Sequence, residues 1–219
     1  MKINFLGDSI TAGVGTEWHE QSFADIVCKF FHAEECNFGV SGTRIAAQTK
    51  PSECSLIDET FLTRAKKMPK DSDFTFVFGG TNDFGHGDAP LGEYGDRGEY
   101  TFYGAFYSLA EYVKSVYGKK LCFILPLPRH DQDNPLGEWS KKKTLGALLS
   151  DYILAEKKIL SDFQIDFIDL TDLFPVPLSS QGNEWTADGA HPNPEGNIRI
   201  ANELIRYLKF KFNIIKTGR

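Results

Sequence analysis

Four short segments of this chain carry residue types that, brought together, can break an acyl bond. The first is Gly7-Asp8-Ser9-Ile10-Thr11. A serine hydroxyl is a poor nucleophile near neutral pH and needs a base within hydrogen-bond reach. Five histidines are available: His19, His32, His86, His130 and His191. His191 has the best setting, in Asp188-Gly189-Ala190-His191-Pro192-Asn193. In a compact turn Asp188 can fold back onto the imidazole, fix its tautomer and stabilise the imidazolium that forms when the ring takes a proton. The third segment is Gly79-Gly80-Thr81-Asn82-Asp83. The Asn82 side chain can donate an N–H to a developing oxyanion without adding charge, and its glycines permit close backbone approach. Asp83 is read as securing that loop. The fourth is Asn37-Phe38-Gly39-Val40-Ser41-Gly42-Thr43, where Gly42 can present a backbone N–H with no side chain in the way.

Each of these residues also has a plainer use. Serine at a helix start is commonly an N-cap. Asp188 and His191 can simply organise a loop, Asn82 can cap a helix, and Gly42 can be an ordinary turn glycine. His86, Asp88, His130 and Asp131 could be read as scattered metal ligands, but no helical metal-ligand spacing joins them. No metal site is expected.

The elements that must position these residues follow from periodicity. Lys2–Leu6, Glu35–Val40, Asp73–Phe78, Leu121–Leu125 and Ile165–Leu170 read as strands. Helical spacing runs through Gln21–Phe31, Leu56–Lys67, Tyr103–Tyr117, Lys142–Leu160 and Pro194–Lys209. Strands alternating with helices imply right-handed crossovers and a parallel sheet covered on both faces. Five strands predict an α/β/α three-layer sandwich of flavodoxin-like topology, with residues 1–219 as one domain. In such a sheet the site lies beyond the carboxyl ends of the strands, at the topological switch point. The Ser9, Gly42 and Asn82 segments each follow a strand, and His191 lies between the last strand and the last helix.

Together and in this order, the four segments resemble the SGNH hydrolase family, also called GDSL lipases, acylhydrolases or esterases. The resemblance runs from residue 7 to residue 193. It implies that Ser9 attacks an acyl carbonyl, that His191 takes its proton and later activates water, and that Asp188 orients His191. It also implies an oxyanion hole from the N–H groups of Ser9 and Gly42 and the side chain of Asn82. It implies no metal or organic cofactor, and substrates that are esters or thioesters. An α/β-hydrolase would share the order Ser, Asp, His, but no G-x-S-x-G elbow follows a later strand. The alternative from another class is a flavodoxin-like module holding a small ligand or phosphate at the Ser9–Thr11 loop, without hydrolase activity.

Composition narrows the partners. The net charge is −6, which argues against nucleic acid or an anionic membrane surface. The 18 phenylalanines can build a large core. The N-terminus, MKINFLGDSIT, lacks the apolar run of a signal peptide. No stretch approaches the ~18 apolar residues of a membrane helix. A cytoplasmic protein acting on a small-molecule ester is expected. Cys28, Cys36, Cys54 and Cys122 form no Cys-x-x-Cys pair and read as reduced thiols. Substrate choice must lie in the loops, chiefly residues 84–102, 126–139 and 181–185. Asp8, Tyr94, Arg129, His130 and Trp185 are the candidate substrate contacts. Tyr94, Tyr100, Phe102, Trp139 and Trp185 can build an apolar or sugar-stacking wall, or merely cover the sheet edge. The mixture points to a small acyl group, such as acetyl, on a sugar or other polar alcohol.

Overall fold

The computed structural model describes residues 1–142 and 146–213, apart from the side chains of His19 and Trp139. Its frame is a parallel sheet of five strands: β1 (Lys2–Gly7), β2 (Glu34–Gly39), β3 (Phe74–Phe78), β4 (Leu121–Ile124) and β5 (Asp166–Ile168), in the order β2-β1-β3-β4-β5. The helices are α1 (Phe23–Phe31), α2 (Phe61–Ala65), α3 (Thr81–Gly85), α4 (Phe102–Tyr117), α5 (Leu149–Asp162) and α6 (Pro194–Lys211).

Strand alternation sorts the core into two layers. Ile3 and Phe5 of β1 and Phe74, Phe76 and Phe78 of β3 pack against α1 and α6. Leu6, Val77 and Phe123 pack on the opposite face against α2, α4 and α5. All five residues of β3 are buried. That is the pattern of a strand covered on both faces, as in parallel α/β sheets. The predicted three-layer sandwich is therefore the observed one. β1 lies between β2 and β3, so the chain leaves β1 in one direction and β3 in the other. The carboxyl ends of β1 and β3 therefore form the switch point of this topology, where such sheets place their ligand sites.

Local caps set the helix boundaries where periodicity alone did not. Ser22 accepts from Asp25 N at 3.3 Å and starts α1 there. Gly118 (φ 59°) ends α4, as expected. The helix expected over Leu56–Lys67 is broken. Ser55–Asp58 is a turn of 3-10 helix, and α2 begins only after Thr60, whose hydroxyl accepts from Thr63 N. The break follows from Asp58, whose carboxylate is drawn away to Arg44 and Ser52. The helix expected over Lys142–Leu160 starts instead at Leu149, with Asp151 reaching back to Leu148 N at 2.8 Å. Residues 143–145 of that span, and 214–219 of the basic tail, lie outside the described residues. Among the described residues no helix is long and apolar enough to cross a membrane. Cys28 and Cys122 are buried, and all four cysteines are free thiols.

Candidate active site

The Ser9 loop is built where β1 stops. Asp8 Oδ1 accepts from Ile10 N at 2.9 Å, and Ala12 N donates to Asp8 O at 3.0 Å. These bonds curl the chain into a helix-like turn and leave Ser9 only 7% exposed. The loop is braced from β2, where Asn37 Nδ2 donates to Thr11 O at 2.9 Å. On its other flank Gly15 lies against the Pro192 carbonyl, which brings the Ser9 loop beside the His191 loop.

Ser9 Oγ stands 2.9 Å from His191 Nε2, although 182 positions separate them in sequence. His191 Nδ1 is 2.7 Å from Asp188 Oδ2. The other carboxylate oxygen accepts from Ala190 N at 3.0 Å and His191 N at 2.8 Å. Asp188 is thus held from two sides by its own turn. An ionised carboxylate can only accept. The neutral imidazole therefore carries its proton on Nδ1 and leaves Nε2 to accept from Ser9.

The charges fit that assignment. Burial alone would lower the His191 pKa, but the hydrogen bond and charge of Asp188, helped by Asp8, outweigh it and raise the value above 6.5. Burial works in the opposite sense on Asp188, yet the bonds from His191 and Ala190 hold its carboxyl well below the usual range. Asp8 is fully buried, which pushes its carboxyl up to about 6 against the pull of His191, Arg64 and Arg129.

The loops after β1, β2 and β3 supply three donors. Val40–Thr43 forms a β-turn closed by Thr43 N donating to Val40 O at 3.3 Å, with Gly42 at φ 76°. That left-handed conformation favours glycine. Gly39 N donates to Asn37 Oδ1 at 2.9 Å, so its N–H is taken. The N–H groups of Gly42 and Ser9 have no partner among the described residues. Asn82 sits in the first turn of α3, which starts from Gly80 at φ 102°. Its Nδ2 donates to Thr43 O at 3.0 Å, leaving one N–H of the amide over. Asp83 clamps the neighbouring loop by accepting from Ile45 N and Ala46 N, both at 2.9 Å. A hydroxyl paired with an oriented imidazole, next to uncommitted N–H donors, is the equipment for acyl transfer.

The sequence of this chain matches the GDSL-like lipase/acylhydrolase family over residues 5–198. It belongs to that family. A solved protein from Lactobacillus plantarum is 29% identical, with a TM-score of 0.78 over 95% of this chain and 96% of that one. A lipase/acylhydrolase from Enterococcus faecalis is 20% identical, with a TM-score of 0.64 over 96% of each chain. A carbohydrate acetylesterase from Sinorhizobium meliloti is 18% identical, with a TM-score of 0.66 over 95% of this chain and 98% of that one. The last two likenesses establish shared fold. No curated protein matches. Family membership makes the chain an acylhydrolase in class and favours that over the ligand-binding module.

Around the Ser9 crevice of this GDSL-like acylhydrolase, the loop residues fall out differently from their sequence reading. Arg129 is 3% exposed, and its guanidinium is committed to Asp131, Glu138 and the Thr81 hydroxyl. It fastens the loop after β4 to α3 and has no free face for substrate. Tyr94 donates to Asp162 at the end of α5 that leads into β5, and its ring packs on Tyr103. It stands on the outside of the helices, away from Ser9. Trp185 lies partly buried against the α1/α6 core layer with the Arg199 guanidinium 4.2 Å over its ring. Phe102 is core, packed on Phe106 and Tyr152. Tyr94 and Phe102 therefore do not contribute to an aromatic wall, Tyr100 is exposed, and the Trp139 side chain lies outside the described residues. Asp8 shapes the Ser9 turn from a buried position. His130 does reach the site region: its N–H donates to Gly189 O at 3.0 Å, between Asp188 and His191.

The long 84–102 segment does not cover Ser9. Its residues His86 to Leu91 line a cavity of about 490 Å³ beyond α3, together with Lys142 and Tyr152. His86, Asp88, His130 and Asp131 are not gathered. Asp88 accepts from Thr49 and Lys50, Asp131 holds Arg129, and His86 meets Arg44 at 3.3 Å. Among the described residues no three His, Cys, Asp or Glu side chains converge as a metal would need. Two buried arginines went unremarked in the sequence. Arg44 joins Asp58, Ser52 and His86, and Arg64 bonds to the ends of β1 and β2. Neither has a local signal, because their acceptors are main-chain carbonyls and side chains of other segments.

Proposed function

We propose that this chain is a serine esterase that hydrolyses small acyl esters through Ser9, His191 and Asp188. As Ser9 Oγ attacks the acyl carbonyl, its proton passes to His191 Nε2. The carbonyl oxygen gains charge and is received by the N–H groups of Ser9 and Gly42 and by Asn82 Nδ2. His191 then gives the proton to the leaving alcohol oxygen. Water follows the same route, losing its proton to His191 as it attacks the acyl-serine; the acyl–Oγ bond then breaks, His191 returns the proton to Ser9 Oγ, and the acid is released. Asp188 holds the imidazole throughout and steadies its positive form. A positioned base typically contributes 10²–10⁴-fold, and each oxyanion donor 10²–10³-fold.

The observation that carries the reading is the 2.9 Å approach of Ser9 Oγ to His191 Nε2, with Asp188 2.7 Å behind the ring. Support for a small acyl group comes from what flanks the crevice. Tyr94 and Phe102 are held by other partners, and the exposed apolar side chains on the surrounding loops, Val14, Trp18, Leu56, Val176 and Leu178, are spread over three loops far apart in sequence. The acetylesterase among the structural neighbours makes acetylated sugars the first polar-alcohol esters to try.

The test is a panel of acetyl, butyryl and palmitoyl p-nitrophenyl esters alongside acetylated sugars. Acetyl esters are expected to give the highest kcat/KM. Preferential cleavage of palmitate would reject the small-acyl reading, and no turnover of any member would reject the esterase.

The pH profile supplies a separate check. As the base, His191 must be neutral in the free enzyme. Its pKa is raised, so kcat/KM should fall as pH drops through a midpoint above 6.5. Asp188→Asn removes the carboxylate that raises it and should move that midpoint to lower pH, along with a loss of rate. A flat wild-type profile between about pH 5 and 8 would contradict a histidine base.

A further inference from the structure

Two of the three donors assigned to the oxyanion hang on one residue that no part of the reaction scheme uses. Thr43 is 1% exposed. Its main-chain carbonyl accepts from Asn82 Nδ2 at 3.0 Å and so sets the plane of that amide. Its hydroxyl donates to Val40 O at 2.7 Å, which closes the turn carrying Gly42 a second time. The hydroxyl has one proton, spent on Val40, and its lone pairs remain for a donor. That donor is Arg64, whose Nη2 lies 2.8 Å from Thr43 Oγ1.

Arg64 is itself fixed to the sheet. Its Nη1 donates to Gly7 O, at 2.8 Å, and to Phe38 O, the last turns of β1 and β2 before their loops. Its guanidinium carbon sits 4.5 Å from the Phe61 ring centre, which stacks it from α2. The rigid guanidinium fork thus refers the Thr43 hydroxyl to two strand ends at once. A lysine has three donors but only one nitrogen, so it lacks the two-nitrogen fork that spans Thr43 Oγ1 and the strand-end carbonyls.

We propose that Thr43, clamped by Arg64, is the positioning residue of the oxyanion hole and orients the Gly42 N–H and the Asn82 amide together. The inference rests on the reading of those two groups as oxyanion donors. Preorganised donors act only if they are aimed before charge develops, so a loosened Thr43 should slow chemistry and leave ground-state binding alone. A purely structural role would lower stability without that separation.

A double-mutant cycle on p-nitrophenyl acetate hydrolysis decides it. Thr43→Val should lower kcat by about 30- to 100-fold with KM within about threefold, since donors are misaimed rather than removed. Thr43→Ser, which keeps the hydroxyl, should remain within about threefold of wild type. Asn82→Ala alone should cost about a hundredfold. In the Asn82→Ala background, Thr43→Val should cost less than about tenfold more, because one of the two groups it aims is gone. Equal losses in both backgrounds, or a raised KM with kcat intact, would overturn the proposal while leaving the esterase reading standing. An Asn82→Ala enzyme with full kcat would instead overturn the oxyanion assignment, and this inference with it. Should Thr43→Val fail to fold, Arg64→Lys takes its place in the same cycle with the same expected coupling.

Discussion

Ser9→Ala is expected to lower kcat for p-nitrophenyl acetate by at least about a thousandfold. The hydroxyl it removes is the group 2.9 Å from His191 Nε2, and no other hydroxyl is bonded to that nitrogen among the described residues. The substitution deletes one atom from a side chain that is 7% exposed, so the fold should hold and the loss should appear in kcat. Residual turnover is expected, because His191 can still draw a proton from water and the oxyanion donors remain in place. His191→Ala should fall to within about tenfold of the same level, since a nucleophile and its base act as one unit. The measurement is turnover by purified variants with matched thermal melts. Retention of most activity by Ser9→Ala would remove Ser9 from the reaction.

A second large effect is expected from a residue that touches no substrate. Gly39→Ala would place a Cβ 2.4 Å from Ala12 N and 2.7 Å from Thr11 C. Both are main-chain atoms, so no side chain can swing aside. Either β2 moves away from β1, or the Thr11–Ala12 segment moves and takes Ser9 with it. Forced overpacking of this kind costs about 2–3 kcal/mol. At this chain length that corresponds to a fall in Tm of about 5–10 °C. A displacement of about 1 Å at Ser9 is enough to cost about a hundredfold in kcat. Calorimetry and turnover on the same preparation test it. A Tm within about 2 °C of wild type, with full activity, would mean that the loop yields freely.

The comparison of the two glycines in this segment shows where local reading stops. Gly39 and Gly42 are three residues apart, and the choice of Gly42 as the bare amide is the loosest of the sequence assignments. Only the fold shows that Asn37 has taken the Gly39 N–H and that the turn leaves the Gly42 N–H free. Arg129 and Tyr94 teach the same lesson. Both stand in long polar loops, and both are spent on partners brought in from elsewhere: Asp131, Glu138 and Thr81 for the arginine, Asp162 for the tyrosine.

What the sequence determined by itself was the frame and the chemistry-bearing types. Apolar strand runs, the stop at Gly118, and an Asp-x-x-His turn are local features. Their physics acts within a few residues, so they can be read in order along the chain. The parallel order of the strands then follows from the crossovers, and it puts the ends of β1 and β3 side by side. Tertiary structure alone decided which loop residues face the crevice and which are buried as fasteners. It also decided that Arg64 reaches Thr43 from 21 positions away and Gly7 from 57. Those choices depend on where main-chain carbonyls of distant strand ends come to rest, and no periodicity in the sequence encodes that position.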